Sequence, residues 1–202
     1  HFGSLTLLGV LNTKIRGLFP QFIFTHNTKL QTIEFSGFHG QVPDQFDVFD
    51  KLKTVQLSGP PGVINNEQET FYGPLPTTLF NSTTIVTIVL ENTFLAGTLT
   101  GKNLTWTPLL CQLSLIENSQ IRGTFPTELL TEVWTTPISR ALGQFPRFFS
   151  IFKCPQIGGP LPDLNATQLA AIRDIDSAND EVFQLAYNSF YGWIPDSMAE
   201  WL

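Results

Sequence analysis

The chain is poor in charge, in cysteine and in methionine. Only 14% of its 202 residues are Asp, Glu, Lys or Arg, and the formal net charge is −6 with no basic block. Nucleic-acid binding, which leaves a basic footprint, is therefore not expected. No apolar run approaches the roughly 18 residues of a membrane-spanning helix. No secretory signal stands at the start, so the chain reads as soluble and already processed. Its histidines, His1, His26 and His39, are scattered and suit no zinc site. No Ser or Cys sits in a nucleophile motif, and no glycine loop suits a phosphate. The sequence therefore reads as non-enzymatic, with no cofactor, no metal and no catalytic residue.

What it does contain is a recurring six-residue phrase: apolar, any residue, Gly, any residue, apolar, Pro. The copies are Ile15–Pro20, Phe38–Pro43, Phe71–Pro76, Leu95–Thr100, Ile121–Pro126, Ile157–Pro162 and Phe190–Pro195. All seven keep the glycine and both apolar residues, and Thr100 alone replaces the proline. The glycines fall 23, 33, 24, 26, 36 and 33 residues apart, so each repeat is one short coil of chain. A glycine at one point of every coil implies a turn that a β-carbon would obstruct, or a close approach between coils. The proline that follows forces the chain out of any sheet or long helix. The apolar residues cannot be buried by one coil alone and need the coils above and below.

A second regularity precedes the phrase. Ile85, Ile88, Leu90, Thr93 and Leu95 lead into Gly97, and Phe183, Leu185, Asn188 and Phe190 lead into Gly192 in the same register. Leu110, Leu113, Leu115 and Asn118 precede Gly123 with one residue inserted, and Leu30, Ile33 and Phe35 precede Gly40 with two missing. The Leu-x-Leu alternation predicts a very short strand with one buried face. These residues resemble leucine-rich repeats of the plant-specific type, with the consensus L-x-x-L-x-L-x-x-N-x-L-x-G-x-I-P. The resemblance implies an α/β repeat solenoid, a right-handed coil of about seven irregular repeats. A short parallel β-sheet would line its concave face, and a Gly-Ile-Pro turn would lead to short helical or 3₁₀ turns on the convex side. At the Asn position the sequence offers Thr13, Thr93, a displaced Asn118 and Asn188, and the cysteine pairs that usually flank such arrays are missing.

A hydrophobic content of 42% supports a substantial core, read as one solenoid domain over residues 1–202 without capping domains. Eighteen Phe against one Met suggests aromatic rings stacked along the interior. Three sequons, at Asn81, Asn103 and Asn165, each follow their proline position by three to five residues, in one sector of successive coils. They point to a secreted, extracellular protein carrying N-linked glycans. Cys111 and Cys154 permit one bridge there, but their repeat phases differ, and two buried free thiols fit equally.

Along the chain, Asp44, Asp47 and Asp50 recur at every third residue and read as the solvated face of a helical turn. The third coil carries an insertion between Ser58 and Thr70. The strand of the sixth is placed at Phe148–Phe152. The acidic cluster between Arg173 and Glu181 lacks the Gly and closing Glu of an EF-hand loop. Met198 and Trp201 continue an apolar spacing that Phe2 and Leu5 of a second copy would extend.

Two functions follow as expectations. In the first, identical subunits stack head to tail through Phe2, Leu5, Met198 and Trp201 into an extracellular fibre or wall-associated layer, rising about 34 Å per subunit. In the second, the chain is a binding module resembling receptor ectodomains or polygalacturonase inhibitors. It would recognise a peptide, a protein or a cell-wall glycan near Glu34, Gln56, Val89, Ser114 and Gln184 on the concave strands.

Overall fold

A computed structural model describes residues 5–11, 15–60, 69–99, 106–129, 148–165 and 182–199. Two kinds of strand alternate along the chain. The Leu-x-Leu segments form β1 (Leu7–Val10), β3 (Thr32–Ser36), β5 (Thr54–Ser58), β7 (Thr87–Glu91), β9 (Gln112–Ile116), β11 (Phe148–Phe152) and β13 (Val182–Gln184). The glycine phrases form β2 (Gly17–Leu18), β4 (Phe38–Gln41), β6 (Phe71–Pro74), β8 (Phe94–Thr98), β10 (Ile121–Arg122), β12 (Gly158–Pro160) and β14 (Ser189–Tyr191). Among the described residues the odd strands make one seven-stranded parallel sheet in chain order. Five even strands, β2 to β10, make a second parallel sheet, and β12 pairs with β14.

The second sheet corrects the expectation of a plain turn at Gly-x-apolar. Each phrase glycine pairs with the first apolar residue of the next phrase: Gly17 with Phe38, Gly40 with Phe71, Gly73 with Leu95, Gly97 with Ile121, and Gly159 with Phe190. Gly123 and Ile157 make an isolated bridge in the same sense. The glycine strands are thus offset by two residues from one coil to the next. The odd strands pair Leu-x-Leu directly opposite Leu-x-Leu. Gly73, at φ 112°, holds the positive dihedral that favours glycine. Gly97 is needed for a different reason: a β-carbon there would lie 2.6 Å from Leu75 Cβ in the preceding coil.

After four of the phrase prolines the chain turns into short helical segments. These are α1 (Ile23–His26) after Pro20, a 3₁₀ turn (Phe46–Val48) after Pro43, α2 (Thr77–Phe80) after Pro76 and α3 (Asp196–Ala199) after Pro195. The core lies between these turns and the two sheets. Ile33, Phe35, Val55, Leu57, Ile88, Leu90, Leu113, Leu115, Phe149 and Ile151 point into it and are at most 2% exposed. Each such side chain contributes about 1.5–3 kcal/mol of burial, realised only against its neighbours in the stack. The phenylalanines meet mainly edge to face rather than stacked. Phe19 meets Phe35 and Phe71 at 5.5 and 5.6 Å between centroids, at 87° and 86°, as the ring quadrupole favours.

The Asn slot forms a ladder more regular than the sequence implies. Ile151 pairs with Leu115, and Leu115 with Leu90, which puts Asn118 opposite Thr93 and Cys154 in the same column. Asn118 is therefore not displaced; the inserted residue lies between it and β10. Its Nδ2 donates to the Leu90 and Ile116 carbonyls at 2.8 and 3.1 Å, and its Oδ1 accepts from Thr93 Oγ1 at 2.6 Å. Asn188 repeats the pattern, donating to the Ile151 carbonyl at 2.6 Å and accepting from the Cys154 amide at 2.8 Å. Cys154 and Cys111 are both buried thiols, and no bridge joins them. Burial pushes the Cys154 thiol up to about 11, against opposing hydrogen bonds to Asn118 and Phe152.

Candidate ligand-binding face

Alternation places every second residue of the odd strands on the outer face of the seven-stranded sheet, and parallel register lines those residues up across strands. The central row reads Gly9, Glu34, Gln56, Val89, Ser114, Ser150 and Gln184. All five residues expected on the concave face from sequence fall in this one row. Gly9 and Ser150 complete it. Ser150 was legible from its place at the centre of Phe148–Phe152.

Ser114 is a correction. At 2% exposure it is too covered to be a contact residue, because its short side chain lies between Gln112 and Ile116 on its own strand and beside Val89 on the next. Ser150 is buried as well, and its Oγ donates to Gln184 Oε1 at 2.9 Å. The middle of the row is therefore a shallow floor, with Glu34, Gln56, Val89 and Gln184 partly exposed around it.

A neighbouring outward row runs Ser36, Ser58, Glu91, Ile116 and Phe152. Ser58 Oγ donates to Glu91 Oε2 at 3.3 Å. Where these strands end, Glu117, Lys153 and Tyr187 occupy matching positions, all with φ near +55°. Lys153 Nζ bonds Glu117 Oε1 at 2.7 Å and lies 5.2 Å from the centre of the Phe152 ring. Phe152 meets Tyr187 edge to face at 5.4 Å and 90°, with Tyr187 75% exposed. Sequence reasoning missed this aromatic pair, since Tyr187 follows the Leu-x-Leu segment and carries no periodic signal.

The remaining expected sites divide. Asn81 and Asn165 are exposed, and Asn103 lies outside the described residues. Of the end-to-end residues, Leu5 is partly buried against the core. Phe2, Trp201 and the side chain of Met198 lie outside the described residues, as does the Arg173–Glu181 cluster. Among the described residues no group of His, Cys, Asp and Glu could hold a metal ion, and no helix is long and apolar enough to cross a membrane.

No protein-family model matches the chain, and no curated protein matches it in sequence. Solved structures do. A TDR receptor superposes with TM-score 0.67 over 98% of this chain, at 18% identity. The Arabidopsis receptor kinase HAESA, in complex with the peptide hormone IDA and the co-receptor SERK1, superposes with TM-score 0.58 over 91%, at 20% identity. The chain has the leucine-rich-repeat fold. It is a short-helix leucine-rich-repeat solenoid, with the seven-stranded sheet on the concave side. A complex of PEPR1 with AtPEP1 matches at TM-score 0.50, over 97% of the chain and at 14% identity. This leucine-rich-repeat chain spans a third or less of each of those receptors: 29% of the TDR receptor, 26% of HAESA and 33% of PEPR1.

Proposed function

We propose that the chain is an extracellular ligand-binding module of the plant-specific leucine-rich-repeat type, a single solenoid that recognises a peptide or a segment of a protein on its concave face. The observation that carries this reading is the central row. Register brings residues far apart in sequence into one line of mixed polar and apolar side chains, over a floor of small buried serines. An extended chain laid across parallel strands meets one such residue per strand. The structural neighbours support it, since HAESA is bound to the peptide hormone IDA. They favour binding over the end-to-end fibre, and over an enzyme. N-linked glycans at Asn81 and Asn165, both exposed and both outside the strands of the concave sheet, fit a secreted protein.

The test is selection from a random twelve-residue peptide display library, comparing the chain with Val89→Arg. A large charged side chain at the centre of the row should block any ligand crossing the face. Binders recovered on the native chain and lost on Val89→Arg support the reading; binders indifferent to the substitution, or none at all, overturn it.

A further inference from the structure

The outer face of the sheet is chemically graded along its second row, from Glu91 through Ile116 to Phe152. Among the described residues Glu91 has a serine hydroxyl as hydrogen-bond partner and no cation within ion-pair distance. At the other end, Phe152 and Tyr187 form a fixed right angle, with Tyr187 mostly bare. Lys153, the cation beside them among the described residues, is neutralised by Glu117 at 2.7 Å and leans over Phe152, so it braces the ring. Within the row, a carboxylate with no cation beside it among the described residues and a held aromatic corner thus stand on either side of Ile116.

Resting on the binding reading above, we infer that this row specifies the ligand: Phe152 and Tyr187 take an aromatic side chain of an extended peptide, and Glu91 takes a basic residue of the same peptide. Edge-to-face packing on a pre-arranged pair favours an aromatic guest and costs little ordering, since the rings already support each other. Anchors of this kind carry a large share of binding energy in most interfaces. Ile116 between the two ends adds apolar surface under the intervening residues. β7 and β11 are two strand steps apart, about 10 Å, which an extended peptide crosses in about three residues. The specificity is therefore a basic and an aromatic residue about three positions apart, matched to the chain's net negative charge of −6.

The experiment is an array of twelve-residue peptides on a Gly/Ser frame. Each carries one Arg and one Trp, at every separation from one to eight, with Ala replacing either residue as control. Binding should peak at a separation of three or four and fall about tenfold when Trp or Arg is replaced. Tyr187→Ala and Glu91→Gln should each weaken the best peptide about tenfold without altering the thermal melt. Added salt should weaken binding to the native chain and leave Glu91→Gln nearly unaffected. Binding without a preferred separation, or unmoved by both substitutions, overturns the assignment. If the array is silent while the random library yields binders that Val89→Arg abolishes, this assignment fails and the concave-face reading stands. If both are silent, both fail.

Discussion

Asp44 caps a helical turn that belongs to the next coil. Its Oδ1 accepts from the Thr78 amide at 2.8 Å and from Thr78 Oγ1 at 2.7 Å, while Oδ2 accepts from Thr77 Oγ1 at 2.8 Å. Pro76, the residue before α2, offers no capping side chain, so the cap arrives from the coil below. Thr78 Oγ1 in return accepts the Phe46 amide at 2.9 Å. Asp163 and Ser197 repeat the relationship, with Ser197 Oγ donating to Asp163 Oδ1 at 2.7 Å and accepting the Leu164 amide at 3.0 Å. The aspartates after Pro43 and Pro162 are thus staples between coils. This corrects the reading of Asp44 as part of a solvated face.

Asp44→Ala should lower stability by about 0.5–2 kcal/mol, the usual cost of a lost cap. The effect should depend on pH. Partial burial would raise the Asp44 pKa, but the hydrogen bonds from Thr78 and Thr77 outweigh it and hold the carboxyl below its ordinary value. A depressed folded pKa adds stability above the unfolded value of about 3.9 and loses it as pH falls through the folded value. Thermal melts from pH 6 down to pH 2 should show the gap between native and Asp44→Ala wide at pH 6 and narrowing below about pH 4. A gap constant with pH would contradict the carboxylate's role.

Gly97→Ala should destabilise by about 1–3 kcal/mol through overpacking against Leu75. The contact is with the Leu75 β-carbon, which every residue but glycine keeps, so Leu75→Gly is the substitution that should relieve the clash. A double-mutant cycle in urea should show favourable coupling between the two substitutions. Additive losses would mean that backbone strain, rather than Leu75, governs Gly97.

In the ladder, Asn118→Ala removes a fully buried amide and strands the Leu90 carbonyl and the Thr93 hydroxyl. A loss of about 2–4 kcal/mol is expected, read from chemical denaturation. Cys154→Ala should cost less, since a thiol is a weaker partner.

The Cys154 thiol itself should resist alkylation in the folded protein at pH 8 and react once denaturant is added. Because its folded pKa is raised to about 11, any stability it lends is complete below the unfolded value of about 8.5 and declines as pH rises from there towards 11. Rapid labelling of Cys154 in the native protein would overturn its placement in the ladder.

Much of the fold was legible because burial and backbone geometry leave periodic marks. Leu-x-Leu marked the odd strands, including β11 at Phe148–Phe152, which lies within the longest interval between glycines. The same alternation put Glu34, Gln56, Val89 and Gln184 on the outer face, and prolines marked where helical turns begin. The aromatic corner was hidden because Phe152 and Tyr187 are 35 residues apart, and nothing local distinguishes an exposed ring that packs on another coil.

By itself the sequence determined the repeat, the buried pairs, the outward row and the glycines that a coil requires, since each is dictated within a single turn of chain. Tertiary structure alone decided how the turns meet. It set the two-residue offset of every glycine strand, placed Cys154 between Asn118 and Asn188 in one column, and joined Asp44 to Thr78. It also buried Ser114, which alternation alone would leave open. Those are relations between coils separated by loops of unequal length. A short-range pattern carries no register across such loops, which the stacked core and the parallel hydrogen bonds impose once the coils are in contact.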